Sequence, residues 1–165
     1  MEELIEKLTQ LPGIGRRSAE RIVGYILNAS KDEVRGLSEG IIKVKENVRF
    51  CRICHNLSEQ DECSICRNPR RNKKILCVVE RPYDVILIEK TGIFDGVYHV
   101  LLGSLAPLEG KGPADLKIDS LLQRIGNEQI QEVILATDTD TEGEVTALYL
   151  TKLLKPMGVQ LSRIG

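Results

Sequence analysis

Cys51-x-x-Cys54 is followed, after eight residues, by Cys63-x-x-Cys66. Each Cys-x-x-Cys turn aims two thiolates at one point, so two turns supply the four corners of a tetrahedron. Zinc takes that geometry with sulfur ligands, and four thiolates leave no open position, which makes the site structural rather than catalytic. The paired spacing argues against scattered cysteines or two reducible disulfides, and a redox role would need only one such pair. His55 lies inside the cluster and reads as a neighbour of the ligands. Cys77, in an apolar run, reads as a small buried residue.

A second constellation is basic. Leu11-Pro12-Gly13-Ile14-Gly15 separates two stretches of helical period and is followed by Arg16, Arg17 and Arg21. Glycines let a backbone approach a phosphate closely, and a helix start offers unpaired N–H groups and a positive dipole end. Gly13, Gly15, Arg16, Arg17 and Arg21 are therefore candidate contacts to a nucleic-acid backbone, read without regard to sequence. Tyr25 and Phe50 are the few aromatic residues nearby, so base stacking is not expected to be the main source of affinity.

A third constellation is acidic. Glu80 follows the apolar run Ile75–Val79, and Asp138-Thr139-Asp140 follows Glu132–Ala136. Ligands collect at the carboxyl ends of parallel strands. Glu80, Asp138 and Asp140 are expected to converge there as a candidate Mg²⁺ site, with Asp84 and Glu142 at its rim. The competing reading has Asp140 or Thr141 simply capping the next helix.

The elements that position these groups fall into three segments, taken as residues 1–46, 47–74 and 75–165. In the first, Leu4, Ile5, Leu8 and Leu11 form one helical stripe, and Ala19, Ile22, Val23, Ile26 and Leu27 another. Ser18 reads as the N-cap of the second helix. A third covers 31–46, weakened by Gly36 and Gly40. The middle segment has neither helical nor strand period and too few apolar residues for a core, so a bound ion is expected to organise it. From residue 75 strands alternate with helices: strands at Ile75–Val79, Gly96–Leu102, Glu132–Ala136 and Val159–Ile164, helices at Pro82–Lys90, Asp119–Gly126 and 142–155, and a loop at Gly103–Gly112. That order predicts an α/β fold with a mostly parallel sheet flanked by helices.

The 165 residues are 42% hydrophobic, 28% charged and 4% aromatic, with a net charge of −1. That composition excludes collagenous and disordered classes. Met1 is followed at once by Glu2 and Glu3, unlike a secretory leader, and no apolar run approaches a membrane helix, so no membrane is expected as a partner. Charge is divided: residues 1–74 carry 15 Lys/Arg against 11 Asp/Glu, whereas 75–165 carry 8 against 13. One part can attract phosphate and the other basic partners. Clustered cysteines without a leader point to a reducing compartment.

Leu11–Gly15 matches the helix-hairpin-helix motif, and Glu80 followed by Asp138-x-Asp140 resembles the Toprim fold of topoisomerases, primases and some nucleases. Helical hairpin, four-cysteine zinc finger and Toprim domain, in that order, resemble the bacterial RecR family of recombination mediators. The likeness includes the strings ILCVVERP (Ile75–Pro82), GVYHVLL (Gly96–Leu102), LAPLEGKGP (Leu105–Pro113) and EVILATDTDTEGEVTA (Glu132–Ala147).

The resemblance implies a non-catalytic repair protein, cytoplasmic and associated with the nucleoid. It would act with RecO, and with RecF, to help RecA replace single-strand-binding protein. It further implies subunits paired through N-terminal helices and C-terminal segments into a homodimer or ring tetramer around single- or double-stranded DNA. Arg17 and Arg21 would contact DNA, and Glu80, Asp84 and Glu144 would lie on the face that meets RecO. Two departures stand out. Many members carry Asn-Pro-Thr where this chain has Asp138-Thr139-Asp140, which keeps a Mg²⁺-dependent nuclease or phosphoryl transferase as the alternative. Relatives also continue past the position of Gly165 with a Walker-B-like stretch and a C-terminal arm, so a truncated chain is expected.

Overall fold

In the computed structural model, which describes residues 1–164, the first two helices form because each carries one apolar stripe and buries it on the other. α1 (Glu2–Thr9) contributes Ile5 and α2 (Arg16–Asn28) contributes Ala19 and Val23, with Leu8 and Ile14 packed against them. The connecting turn closes through Ile14 N–H donating to the Leu11 carbonyl (3.1 Å), and Gly13 takes φ 79°, a conformation that side chains resist. α2 begins at Arg16 rather than after Ser18. Gly15, extended at φ −82°, is the N-cap, and its carbonyl accepts from Ala19 N–H at 3.0 Å. The Pro12-Gly13 turn reverses the chain early enough for the helix to start there. α3 (Lys31–Asn47) opens with a capping box not anticipated from the sequence: Ser30 N–H donates to Glu33 Oε2 (2.8 Å), and Glu33 N–H to Ser30 Oγ (3.2 Å). The helix runs through Gly36 and Gly40 and buries none of its residues.

These three helices make one compact unit, Met1–Asn47, and a second begins at Val48. The second unit opens with a two-stranded antiparallel ribbon, β1 (Arg49–Phe50) and β2 (Leu57–Ser58), and a single turn of helix, α4 (Ser64–Arg67). Its four buried cysteines, flanked by Ile53 and Ile65, take the place of an apolar core there.

An α/β layer follows: β3 (Asn72–Val79), α5 (Pro82–Lys90), β4 (Gly96–Val100), α6 (Ile118–Asn127), β5 (Glu132–Ala136), α7 (Thr141–Leu154) and β6 (Gln160–Arg163). The strands are all parallel, in the order β4-β3-β5-β6, with Cys77 opposite both Tyr98 and Ile134, and Ile134 opposite Ser162. Alternation along β3 sends Leu76 and Val78 to one face, where they meet Leu121 and Ile125 of α6 and Leu150 and Leu154 of α7. Cys77 and Val79 point to the other face, with Tyr98, Val100 and Val85 of α5. β3 starts three residues earlier than the apolar run, since Asn72 pairs with Gly96 across an irregularity before Leu76. β4 stops at Val100, because Leu102 turns to φ 64° and Gly103 to φ 151°.

Candidate functional site

The four cysteine Sγ atoms lie within 4.8 Å of one another. Bonds of about 2.3 Å to a tetrahedral zinc ion imply sulfur–sulfur edges of about 3.8 Å. Cys54 and Cys63 are 3.6 Å apart and no pair of the four exceeds 4.8 Å, so the donor set suits the ion. Backbone folding explains why: Cys51 N–H donates to the Asn56 carbonyl (2.7 Å) and His55 N–H to the Cys51 carbonyl (2.9 Å), curling the first knuckle. That knuckle holds His55 at φ 60°. Cys63 N–H donates to Cys51 Sγ at 3.3 Å, joining the two. Hydrogen bonds from Cys54 and then Cys66 push the Cys63 thiol down. A bound zinc ion would hold all four sulfurs as thiolates and fix the chain around them.

His55 stays outside this set, its Nε2 2.9 Å from Ser120 Oγ on α6. Its ring meets His99 edge-on at 5.3 Å, and Val100 N–H donates to the Cys54 carbonyl (2.8 Å), which seats the finger on β4. Arg71, absent from the sequence reading, extends the seat. Its guanidinium donates to the carbonyls of Phe94 (3.0 Å) and Gly96 (3.3 Å) and pairs with Glu89, which also accepts from the Tyr98 hydroxyl (2.7 Å). Nothing in the sequence distinguishes Arg71 from its neighbours Arg67 and Arg70.

On α2 the helix start is left open. Gly15 has no side chain to cap it, so the first-turn N–H groups remain free for an outside acceptor. Gly13, Gly15, Arg16, Arg17 and Arg21 are all exposed. Arg16 pairs with Glu2 and Glu20, and these contacts push its pKa up. Among the described residues Arg17 and Arg21 enter no ion pair, which leaves two cations one helical turn apart beside the open N-terminus.

The acids take a different arrangement from the one expected. Glu80, at the end of β3, is 1% exposed, and its Oε1 accepts from Asp138 N–H at 3.1 Å. Burial raises its carboxyl to about 7. Asp138 faces Arg81 at 3.6 Å, and Asp140 caps α7 by accepting from Gly143 N–H at 2.8 Å. Glu142 accepts from Ser104 Oγ (2.9 Å), Asp84 caps α5 by accepting from Arg81 N–H (2.7 Å), and Glu144 pairs with Arg163, which pushes its carboxyl pKa down. Among the described residues the four cysteines are the only group of three or more potential ligands drawn together this closely. Glu80, Asp138 and Asp140, the possible Mg²⁺ ligands, do not form such a group, and nothing in the arrangement supports an ion there. The strand ends do bring these residues to one edge, but helix capping, an arginine and a backbone amide each claim one carboxylate.

Among the described residues no helix is long and apolar enough to cross a membrane. The helical hairpin, the four-cysteine finger and the parallel sheet with acids at its carboxyl edge define a helix-hairpin-helix, zinc-finger and Toprim protein. Comparison with known proteins agrees: residues 1–45 match the RecR helix-hairpin-helix, 48–68 the RecR four-cysteine zinc finger domain and 74–165 the Toprim domain. Recombination protein RecR of Acidothermus cellulolyticus is 51% identical over the whole chain, which spans 83% of that relative. Recombination protein RecR of Cutibacterium acnes is 50% identical, again over the whole chain and 82% of the relative. The chain belongs to the RecR family, and a role in recombination and repair follows from that membership.

Proposed function

We propose that the chain is a non-catalytic DNA-binding mediator of recombination, built of a hairpin module (1–46), a zinc finger (47–74) and a Toprim domain (75–165). The free N–H groups at the start of α2, with Arg17 and Arg21 unpaired beside them, carry this reading. They form a grip for phosphate that needs no base contact. Gly13 and Gly15 allow close approach, and Arg16 borders the grip while tied to Glu2 and Glu20. The Toprim edge supports the partner half of the proposal. Asp84 and Glu144 flank it, and Glu80 acts from within by fixing the Asp138 backbone. RecO is the proposed partner there, with RecF, in loading RecA onto DNA coated with single-strand-binding protein in the bacterial cytoplasm. α3 supports self-association, since Leu37, Ile41 and Val44 are 52%, 64% and 61% exposed on a helix that buries nothing.

The test is the salt dependence of DNA binding. Replacing both Arg17 and Arg21 with Ala removes two phosphate contacts. The slope of log affinity against log salt should then flatten by about 1.4 on single strands and about 1.8 on duplex. Unaltered affinity and slope in the double variant would overturn the hairpin reading.

A further inference from the structure

The exposed side of α2 holds more than its arginines. Ser18, Arg21, Ile22 and Tyr25 follow one another at the spacing of a single helix face, and together they line a cavity of about 310 Å³. Ile22 among them is half-buried. Tyr25 is 64% exposed and has no place in the core built by Ile5, Ala19 and Val23. An aromatic ring left in water one turn from an unpaired guanidinium is a surface made for a ligand with both a phosphate and a flat apolar face. Arg17, Arg21 and Tyr25 lie four residues apart in succession, so about 12 Å of helix carries two cations and then the ring.

A nucleic-acid strand has that composition. In a duplex the base faces are stacked on one another, and only base edges and the sugar-phosphate backbone face outward. In a single strand every base presents a free face to an aromatic side chain. We propose that Tyr25 stacks on an unpaired base of a strand whose phosphates lie on Arg17 and Arg21, so that α2 distinguishes single-stranded from duplex DNA. The occupant is fixed by charge: two unpaired cations on the same stripe select a polyanion over an apolar partner. This deepens the reading of α2 as the DNA-facing helix and rests on it.

The experiment compares Tyr25→Ala, Tyr25→Phe and the Arg17→Ala/Arg21→Ala double variant, each bound to an oligo(dT) strand and to a duplex of equal length. Tyr25→Ala should weaken oligo(dT) binding about tenfold, within the range of one base–aromatic stack, with duplex affinity and both salt slopes unchanged. Tyr25→Phe should keep the wild-type preference, since stacking needs the ring and not the hydroxyl. A strand carrying 5-iododeoxyuridine should crosslink to Tyr25 on irradiation, and the duplex should not. Equal losses on strand and duplex, or none on either, overturn the proposal while leaving the arginine reading intact. Loss of self-association in Tyr25→Ala at an unchanged strand preference assigns the face to a second copy of the chain and also overturns it. If the arginine variant binds both DNAs like wild type, the underlying reading fails instead.

Discussion

Glu80 makes a quantitative claim about stability. Its carboxyl is 1% exposed at the end of β3 and is raised by burial from 4.5 to about 7. The folded protein therefore holds this proton more tightly than the unfolded chain. That contribution is fully present below about pH 4.5 and is lost as pH rises through 7. The interval corresponds to roughly 3 kcal/mol. Glu80→Gln keeps an acceptor for Asp138 N–H and removes the titration, so it should gain up to that amount over wild type between pH 5 and pH 8. His99 works in the opposite direction over much of the same range. Burial lowers it from 6.5 to about 3, so its contribution is present above pH 6.5 and lost as pH falls. The raw wild-type profile mixes the two, whereas the variant keeps only the His99 part, so the difference between the proteins isolates Glu80. Urea unfolding of both proteins at half-unit steps across this range measures it. A difference that does not change with pH would refute the burial of an ionisable Glu80.

Two further substitutions probe the scaffold. Cys63→Ser removes one corner of the tetrahedron, and elemental analysis should fall from one zinc per chain towards none; full metal content in this variant would refute the ligand set. Gly143→Ala would place a Cβ 2.0 Å from the Asp138 carbonyl oxygen, a backbone atom that cannot step aside cheaply. It should cost about 1–3 kcal/mol, lowering Tm by several degrees, and wild-type Tm would refute the close approach.

How legible each part is in the sequence depends on whether its cause is local. α5 and β5 appear at the bounds read from the sequence, because Pro82 pre-sets a helix start and Val133–Ala136 is an apolar run paired on both sides. The zinc set is equally legible, since two Cys-x-x-Cys turns encode their own geometry. The start of α2 lies ahead of Ser18 because Gly15 caps through its backbone and leaves no side-chain signal. The start of β3 is hidden in Asn72-Lys73-Lys74, polar residues that join the strand only because β4 lies beside them. The acids sit at the expected edge, yet their partners come from Arg81, the Asp138 amide and Gly143, and spacing alone does not reveal who claims a carboxylate.

The two candidate metal centres differ in what their ligands would have to give up. A divalent ion at the Toprim edge would have to take Asp140 from the α7 cap, at about 1 kcal/mol, and Asp138 from Arg81, at up to about 1 kcal/mol. About 2 kcal/mol of lost interaction weakens binding roughly thirtyfold before any bond to the ion forms. At the finger, the Cys51 sulfur accepts only a backbone N–H, a bond that zinc coordination leaves in place, and Cys54, Cys63 and Cys66 are turned towards one another. Side chains with no competing partner are free to bind. By that criterion the thiols are freer than the carboxylates to hold a cation.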